Sequence, residues 1–314
     1  MVKLIADIGG TNIRLAAFRG SPLTACQKLL TGTLAHERHY RWDEVTRLET
    51  ALDDFITHFA LPARYDRLVV AYAGLALEGQ EVFTFTNRAQ TFTRTSLGAY
   101  ADQVYVLNDF AAQASLIPHL PHNQIKLIKE GKAHHSSPRA VLGPGTGLGV
   151  AGLTATGQLI AGEGGNVALP YLAHAPLTAL IEHLGPVGLR LEDVLSGPGL
   201  ENIYTALGFG PLAAHQISAA AHQGPGPERQ ALELFFDYAA LACANQALQY
   251  AAAGGVYLVG NIANHNVDLL DLDRFAKIFC ATRTHVDFLT HVPVYLVQAK
   301  TSGLAGAAAY LAAC

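Results

Sequence analysis

The amino-acid sequence predicts a duplicated α/β architecture of two domains. Segments with strand character alternate with segments of helical periodicity in both halves of the 314 residues. Each half opens with two apolar runs joined by a glycine-rich turn that carries one threonine. A chain of this length is long enough to build two hydrophobic cores.

The first of these hairpins lies at the start of the chain. Val2–Ile8 and Ile13–Phe18 are apolar runs, and the turn 9–12 between them has the residues that tight turns prefer. Residues 43–59 carry apolar side chains at helical spacing, with acidic residues early in the segment, which predicts a helix. Further strands are predicted at 67–73, 81–86 and 103–107, and a helix at 109–117.

The second half repeats the plan. Strands at 140–142 and 148–153 flank the turn 143–147. Helices are then predicted at 177–184 and 227–252, strands at 256–259 and 292–297, and a small-residue helix at 304–313. We expect a small α/β domain of residues 1–109 together with the terminal segment 298–314, and a large α+β domain of residues 110–297.

Composition and charge favour a small-molecule substrate. Half of the residues are apolar and 15% are charged, as in compact globular proteins. The net charge of −4 gives no footprint for nucleic acid or for an anionic membrane. Asp7 and Arg14 interrupt the first apolar run before a signal peptide or a membrane span could form. The four cysteines and fourteen histidines match no recognised ligand pattern. We therefore expect a cytoplasmic protein with reduced thiols.

Both glycine-rich turns suit phosphate binding, because backbone N–H groups must approach phosphate oxygens closely. Thr11 and Thr146 add one hydroxyl group to each turn. Asp7, at the end of the first strand, is placed to hold Mg²⁺ through its water shell. One such turn alone is as consistent with an ordinary tight hairpin, so the interpretation depends on the pair. No Walker P-loop occurs in the sequence, and the glycines of Gly143 to Gly149 do not fit a G-x-G-x-x-G fingerprint before a helix, which disfavours a dinucleotide-binding enzyme.

Five motifs follow one another along the chain: Asp7–Arg14 (DIGGTNIR), Leu107–Phe110 (LNDF), Gly143–Gly149 (GPGTGLG), Gly162–Gly165 (GEGG) and Glu192–Gly199 (EDVLSGPG). In this order they resemble the bacterial glucokinase family, within the actin, hexokinase and heat-shock-chaperone ATPase fold. The resemblance implies duplicated actin-like ATPase domains of the ribonuclease H-like type, flanking a cleft that closes over sugar and ATP.

The resemblance also implies a role for each motif in an ATP-dependent phosphorylation of glucose to glucose 6-phosphate. Asp109 is the expected general base, because an attacking hydroxyl needs an acceptor for its proton. The expected sugar-binding residues are Asn87, Asn108, Asp109, Glu163, Asn166 and Glu192. The expected nucleotide-binding residues are Asp7, Gly9, Gly10, Thr11, Asn12, Gly145, Thr146, Gly147 and Gly260, with Asp7 holding Mg²⁺ through water.

Plainer interpretations of several residues stay open. Asp109 precedes a predicted helix and would stabilise its N-terminus with or without a chemical role. Asn87 follows a strand and has the chemistry of a turn residue. Glu192 is also consistent with a solvated position on a helix. Glu163 lies between two glycines on an exposed turn, where packing gives little reason for a carboxylate.

The acceptor sugar also stays open. The family usually has histidine where this chain has Asn166, which cannot become positively charged. Another hexose, an amino sugar or an anhydrosugar is therefore an alternative to glucose. A non-catalytic sugar-binding regulator is the alternative from a different class, although we expect no basic helix-turn-helix segment and find no cysteine-rich zinc signature. The family resemblance further implies a homodimer.

Overall fold

The computed structural model describes residues 2–86, 89–185, 188–299 and 302–314, which form a mixed α/β fold. Its strands are β1 Val2–Ile8, β2 Asn12–Arg19, β3 His36–Arg41, β4 Tyr65–Tyr72, β5 Val82–Thr84, β6 Thr91–Thr93, β7 Ala101–Asn108, β8 Ile125–Lys129, β9 Arg139–Pro144, β10 Leu148–Leu153, β11 Leu159–Gly162, β12 Val256–Leu258 and β13 Val294–Val297. Its α-helices are α1 Pro22–Leu30, α2 Leu48–His58, α3 Arg94–Gly98, α4 Asp109–Leu116, α5 Leu177–Leu184, α6 Gly197–Ala206, α7 Ala214–Ala221, α8 Pro227–Gln249, α9 Asn261–His265, α10 Leu272–Phe279, α11 Val286–His291 and α12 Ser302–Ala313.

The chain divides into two units, Met1–Pro121 with Ala299–Cys314, and His122–Gln298. The first unit therefore extends past residue 109, where the sequence analysis set the boundary. The physical reason is that α4 packs against α12, and both belong to the first unit. Gly306 makes this packing close, because a Cβ there would collide with the carbonyl oxygen of Ala112 on α4.

The sheet of the first unit has the strand order β3-β2-β1-β4-β7. Strands β1, β2 and β3 are antiparallel neighbours, whereas β4 is parallel to both β1 and β7. Alternate apolar residues of β1 and β2 enter one core together with the apolar stripe of α2. Polar side chains of β1 and β2 are left at the opposite face and at the turn.

The sheet of the second unit has the strand order β11-β10-β9-β12-β13-β8. Here β9, β10 and β11 are antiparallel neighbours, and β12 is parallel to both β9 and β13. The long helix α8 is buried over most of its length and forms the centre of the core of this unit. The turn between β9 and β10 is therefore held on a rigid support.

The two predicted hairpins are confirmed, as are the helices at 177–184 and 109–117 within one residue. The helix predicted from residue 43 is wrong at its start, since α2 begins at Leu48. The Glu44 carboxylate accepts a hydrogen bond from the Arg41 backbone N–H at 2.9 Å, which holds a turn before the helix. The helix predicted to end at 252 stops at Gln249, and Ala251 has a left-handed φ of 47°.

All four cysteines lie in the described part of the chain, and none forms a disulfide bond. Among the helices described, none combines the length and the apolar character needed to cross a bilayer.

A buried lysine fixes one end of α11. Lys129, on β8, is only 5% exposed, and its ammonium group lies 4.9 Å from the centre of the Phe279 ring. Its Nζ donates to the backbone carbonyls of Glu130, Leu289, Thr290 and Val292, at 2.8 to 3.0 Å. Carbonyl groups at the end of a helix lack a full set of partners within the helix. The lysine supplies a donor there, and two of the carbonyls that it contacts, those of Leu289 and Val292, are buried.

We expect Lys129→Met to lower the free energy of unfolding by roughly 2–4 kcal/mol, because the substitution keeps the chain length but removes the charged donor to carbonyls that include the buried ones of Leu289 and Val292. Urea unfolding followed by circular dichroism measures the change. Lys126→Met is the matched control, since Lys126 lies on the same strand and is exposed. Equal unfolding midpoints for the two variants would contradict the anchoring role.

Candidate active site

The carboxyl ends of β1, β4 and β7 meet at one edge of the first sheet. Asp7 of β1 pairs with Ala71 of β4, and Ala71 in turn pairs with Leu107 of β7. Parallel strands lead into their next loops at the same edge of a sheet, which is where open α/β sheets bind ligands. The register therefore brings Asp7 and the turn after β1 to the same edge as Asn108 and Asp109.

The turn between β1 and β2 is closed by a hydrogen bond from Gly9 N to Asn12 O at 2.9 Å. Trp42 stabilises the same turn, because its Nε1 donates a hydrogen bond to Gly9 O at 3.0 Å. A Cβ at Gly9 would meet its nearest atom at 3.9 Å, and one at Gly10 would meet nothing within 4 Å. Neither glycine has a left-handed φ. Packing among the described residues thus gives no steric reason for these two glycines, and the absence of side chains here would let a phosphate approach the backbone N–H groups.

Asp7 is a largely buried carboxylate, with its side chain 13% exposed, and Arg14 Nη1 donates to its Oδ2 at 3.1 Å. Burial raises the pKa of Asp7, whereas Arg14 and His39 oppose that rise. A Cβ at Gly303 of α12 would collide with the Asp7 carboxylate, so the glycine allows the helix to begin against it.

Asp7 fits the mode of Mg²⁺ binding that the sequence analysis expected. The described residues contain no group of three or more metal-ligating side chains. A site with one carboxylate is nevertheless suitable for Mg²⁺, which keeps most of its waters and takes further ligands from nucleotide phosphates. The carboxylate lies directly before the glycine turn, so a cation there would be adjacent to any phosphate on that turn.

Asn108, rather than Asp109, caps helix α4. The Asn108 Oδ1 accepts hydrogen bonds from Phe110 N at 2.8 Å and Ala111 N at 3.2 Å, and its Nδ2 donates to Gly74 O at 3.1 Å. Asp109 is half-buried, and its Oδ1 also accepts from Phe110 N, at 2.9 Å. The capping interpretation of Asp109 therefore describes its neighbour better. Asn108 has an amide fixed on three sides and retains one N–H for another partner.

The turn after β9 closes through Gly145 N to Gly147 O at 2.8 Å and leaves Thr146 exposed. Gly145 resembles Gly9 and Gly10, since a Cβ there would meet no atom nearer than 3.9 Å. Gly147 differs, because a Cβ there would lie 2.5 Å from Glu192 Oε2. Gly260, with a φ of 127°, ends the β12 segment against the Pro144 carbonyl. The packing of neighbouring groups therefore explains why positions 147 and 260 are glycine, without a ligand.

Glu192 is bound to this second turn. Its Oε2 accepts a hydrogen bond from Leu148 N at 2.8 Å, directly after the turn. Glu192 is half-buried in a short 3₁₀ turn, Leu191–Asp193, which excludes a solvated position on an α-helix. The N-terminus of α6 is attached as well, because Gly197 N donates to Gly145 O at 2.8 Å.

Glu163 and Asn166 lie together on the segment after β11, where Asn166 N donates to Glu163 O at 2.9 Å. Partial burial and the nearby Glu192 carboxylate raise the pKa of Glu163, and a side-chain hydrogen bond from Asn166 opposes the rise. The structure thus brings three of the predicted sugar-binding residues of this unit together. Arg190, which the sequence analysis did not single out, contacts this group, since its Nη1 donates to Asn166 Oδ1 at 3.0 Å. Asn87 lies outside the described residues.

Comparison with known proteins identifies the family. A family model for glucokinase matches residues 4–314. The chain is also 32% identical, over 322 residues, to the glucokinase of Cupriavidus metallidurans, covering 99% of this chain and 93% of that protein. This chain belongs to the glucokinase family. The family predicted from the five motifs is therefore confirmed, and with it the predicted enzyme class, a sugar kinase.

Solved glucokinases share the fold. A glucokinase from an Antarctic psychrotroph superposes with a TM-score of 0.84 at 30% identity, covering 100% of this chain and 99% of the other. A glucokinase from Streptomyces griseus, solved with glucose and AMPPNP, has a TM-score of 0.64 at 18% identity and covers 98% of each chain. Glucokinases of this kind have an actin-like ATPase fold.

We expect Asn108→Ala to be less stable than Asn108→Ser by about 1 kcal/mol, because serine keeps an oxygen that caps α4 and alanine does not. Both variants lose the amide donor to Gly74, so the difference isolates the cap. Thermal unfolding of the two proteins measures it. If alanine were as stable as serine, the two bonds to Phe110 and Ala111 would not support the helix.

Proposed function

We propose that this glucokinase-family protein transfers the terminal phosphoryl group of ATP to glucose, giving ADP and glucose 6-phosphate, with Asp109 as the general base. The observation that carries the proposal is the register of β1, β4 and β7, which brings the glycine turn after β1 and the half-buried Asp109 carboxylate to one sheet edge. The family match over nearly the whole chain supports the reaction type.

We infer that the two units are duplicated actin-like, ribonuclease H-like domains. The order β3-β2-β1-β4-β7 in the first unit corresponds to β11-β10-β9-β12-β13 in the second, with the same pattern of antiparallel and parallel neighbours. The glycine turn falls between the corresponding strands in each unit. Each unit would thereby contain one phosphate-binding turn.

In the proposed mechanism Asp109 accepts the proton of the attacking sugar hydroxyl as that oxygen bonds to phosphorus. Asn108 orients the neighbouring hydroxyl, because its amide is already fixed by the cap and by Gly74. Glu163, Asn166 and Glu192 accept or donate hydrogen bonds to the remaining hydroxyls. Asn87 is retained as a proposed sugar contact from the family resemblance.

The nucleotide phosphates would be bound by backbone N–H groups of the two turns. We assign this role to Gly9, Gly10 and Gly145, and we assign hydrogen bonding to Thr11, Asn12 and Thr146. Gly147 and Gly260 contribute by allowing Glu192 and Pro144 to approach. Asp7 would hold Mg²⁺ through water, and the ion would neutralise charge on the phosphate oxygens.

A kinase for a different hexose, an amino sugar or an anhydrosugar is the second candidate. The observation that favours this second candidate is at position 166. The family usually has histidine there, whereas this chain has an asparagine that is bound by Arg190. From the resemblance and the composition we also propose a cytoplasmic homodimer that binds no nucleic acid.

Glucose-dependent release of ADP from the purified protein tests the function. Values of kcat/KM over a panel of hexoses, amino sugars and anhydrosugars identify the acceptor, because a site that bonds each hydroxyl rejects analogues that lack one. A flat panel would contradict both kinase assignments, and sugar binding without ADP release would indicate a regulator.

We expect Asp109→Asn to lower kcat by about 100-fold or more, because asparagine cannot accept the proton. Asparagine still offers an oxygen to Phe110 N, so thermal stability should be unchanged. Asp102→Asn is the control, since Asp102 lies on β7, the strand that leads into Asp109, and is exposed in a surface ion pair with Arg64. Wild-type turnover in Asp109→Asn would remove that residue from the role of base.

We expect glucose binding to weaken as the pH falls through a value above 4.5, the ordinary pKa of glutamate. Burial and Glu192 raise the pKa of Glu163, and protonation removes an acceptor for sugar hydroxyls. The measurement is KM for glucose against pH at saturating ATP. In Glu163→Gln this acid dependence should disappear; if it persisted unchanged, another group would be its source.

A further inference from the structure

The segment that carries Glu163 and Asn166 is held tightly against β10. A Cβ at Gly164 would lie 2.7 Å from Val150 Cβ, and one at Gly165 would collide with the Leu148 carbonyl. The 3₁₀ turn Gly164–Asn166 therefore cannot shift without moving the sheet. This packing restrains the backbone of Glu163 and Asn166. The direction of their side chains therefore depends on the groups that contact those side chains.

Arg190 reaches this turn from a backbone that is itself fixed. Leu169 N donates to Leu189 O and Leu191 N donates to Val167 O, each at 2.9 Å, so the segment of Arg190 pairs with the one following Asn166. Asp193 accepts a hydrogen bond from Arg190 N at 2.8 Å and one from Arg190 Nη2 at 3.2 Å. The guanidinium group is thereby directed at Asn166.

The chemistry of arginine determines which way the amide of Asn166 faces. A guanidinium group has donors and no acceptor, so the Asn166 atom that it contacts must be the carbonyl oxygen. The Asn166 NH₂ group is then directed away from Arg190, and this group lowers the pKa of the Glu163 carboxyl by stabilising its charged form. With the amide reversed, a carbonyl oxygen would face the Glu163 carboxylate and an NH₂ group would face the guanidinium, which is unfavourable at both ends.

We propose that Arg190 is a positioning residue for sugar specificity: it fixes the side-chain amide of Asn166 so that this residue presents hydrogen-bond donors to Glu163 and to an oxygen of the bound sugar. The proposal rests on the proposed function, in which Glu163 and Asn166 bind the acceptor sugar. In this arrangement Asn166 recognises a sugar oxygen as an acceptor, and Arg190 excludes the rotamer that would recognise a donor.

Arg190→Met tests the proposal, because methionine keeps a long side chain but cannot donate. We expect KM for glucose to rise about tenfold, the equivalent of one hydrogen bond, with kcat and KM for ATP within about twofold of wild type. Arg229→Met is the matched control, since Arg229 forms a long 3.8 Å ion pair with Glu233 elsewhere in the same unit. It should leave all three constants unchanged.

A double-mutant cycle separates positioning from support of the loop. Asn166→Ala removes the side-chain carbonyl and every other acceptor at that position, so adding Arg190→Met to that variant should cause no further rise in KM for glucose. An equal rise in both backgrounds would overturn the proposal, because a merely structural role of Arg190 does not depend on the residue at 166. Arg190→Lys is the second variant, and it should raise KM in the same direction because it lacks the fork that reaches Asn166 and Asp193 together.

Calorimetric titration of glucose into wild type and Arg190→Met distinguishes failure of this inference from failure of the proposed function. Weaker glucose binding by the variant supports positioning whether or not the wild type turns over. Turnover with identical binding by the two proteins would overturn only the role of Arg190. If the sugar panel identifies another acceptor, the same cycle is measured with that sugar, and the same two results decide it.

Discussion

Parallel pairing at the centre of each sheet is the constraint on which the site depends. In the first sheet the pairing of β1, β4 and β7 sends Asp7, the glycine turn and Asp109 to one edge. In the second sheet β9 is parallel to β12, so the turn after β9 and Gly260 share an edge in the same way. A shift of one residue in either register would turn these side chains to the other face.

The parts of the fold that the sequence predicted are those in which local pattern and burial agree. Strand β1 has the bounds that the sequence predicted, because its apolar run is followed immediately by the glycine turn that ends the strand. The start of α2 was misplaced because Val45 continues the helical spacing of apolar residues and is indeed buried. Val45 is buried although it lies in the turn before α2. The spacing of apolar residues cannot distinguish a buried residue in a turn from one in a helix.

Two of the elements that the sequence analysis missed lack a clear apolar pattern. Strand β3 is a polar edge strand, His36–Arg41, with little alternation. Helix α6 begins inside the motif Ser196–Gly199, whose glycines suggest a loop. Its start was nevertheless readable, because Ser196 accepts from Gly199 N at 2.9 Å and a proline follows in the first turn. Arg190 had no local signal, since its partner Asn166 is 24 residues away.

Because helix α12 belongs to the first unit but is last in the sequence, the two units become complete at different times during synthesis. The second unit is one continuous stretch, His122–Gln298, so its internal contacts join residues of that stretch alone. The first unit needs α12, which packs on α1 and α4 and approaches Asp7 through Gly303, yet α12 follows the entire second unit in sequence. On a ribosome, where domains form as their residues emerge, the later-encoded unit is thus complete before the earlier one. The carboxylate at Asp7 would acquire its final surroundings last.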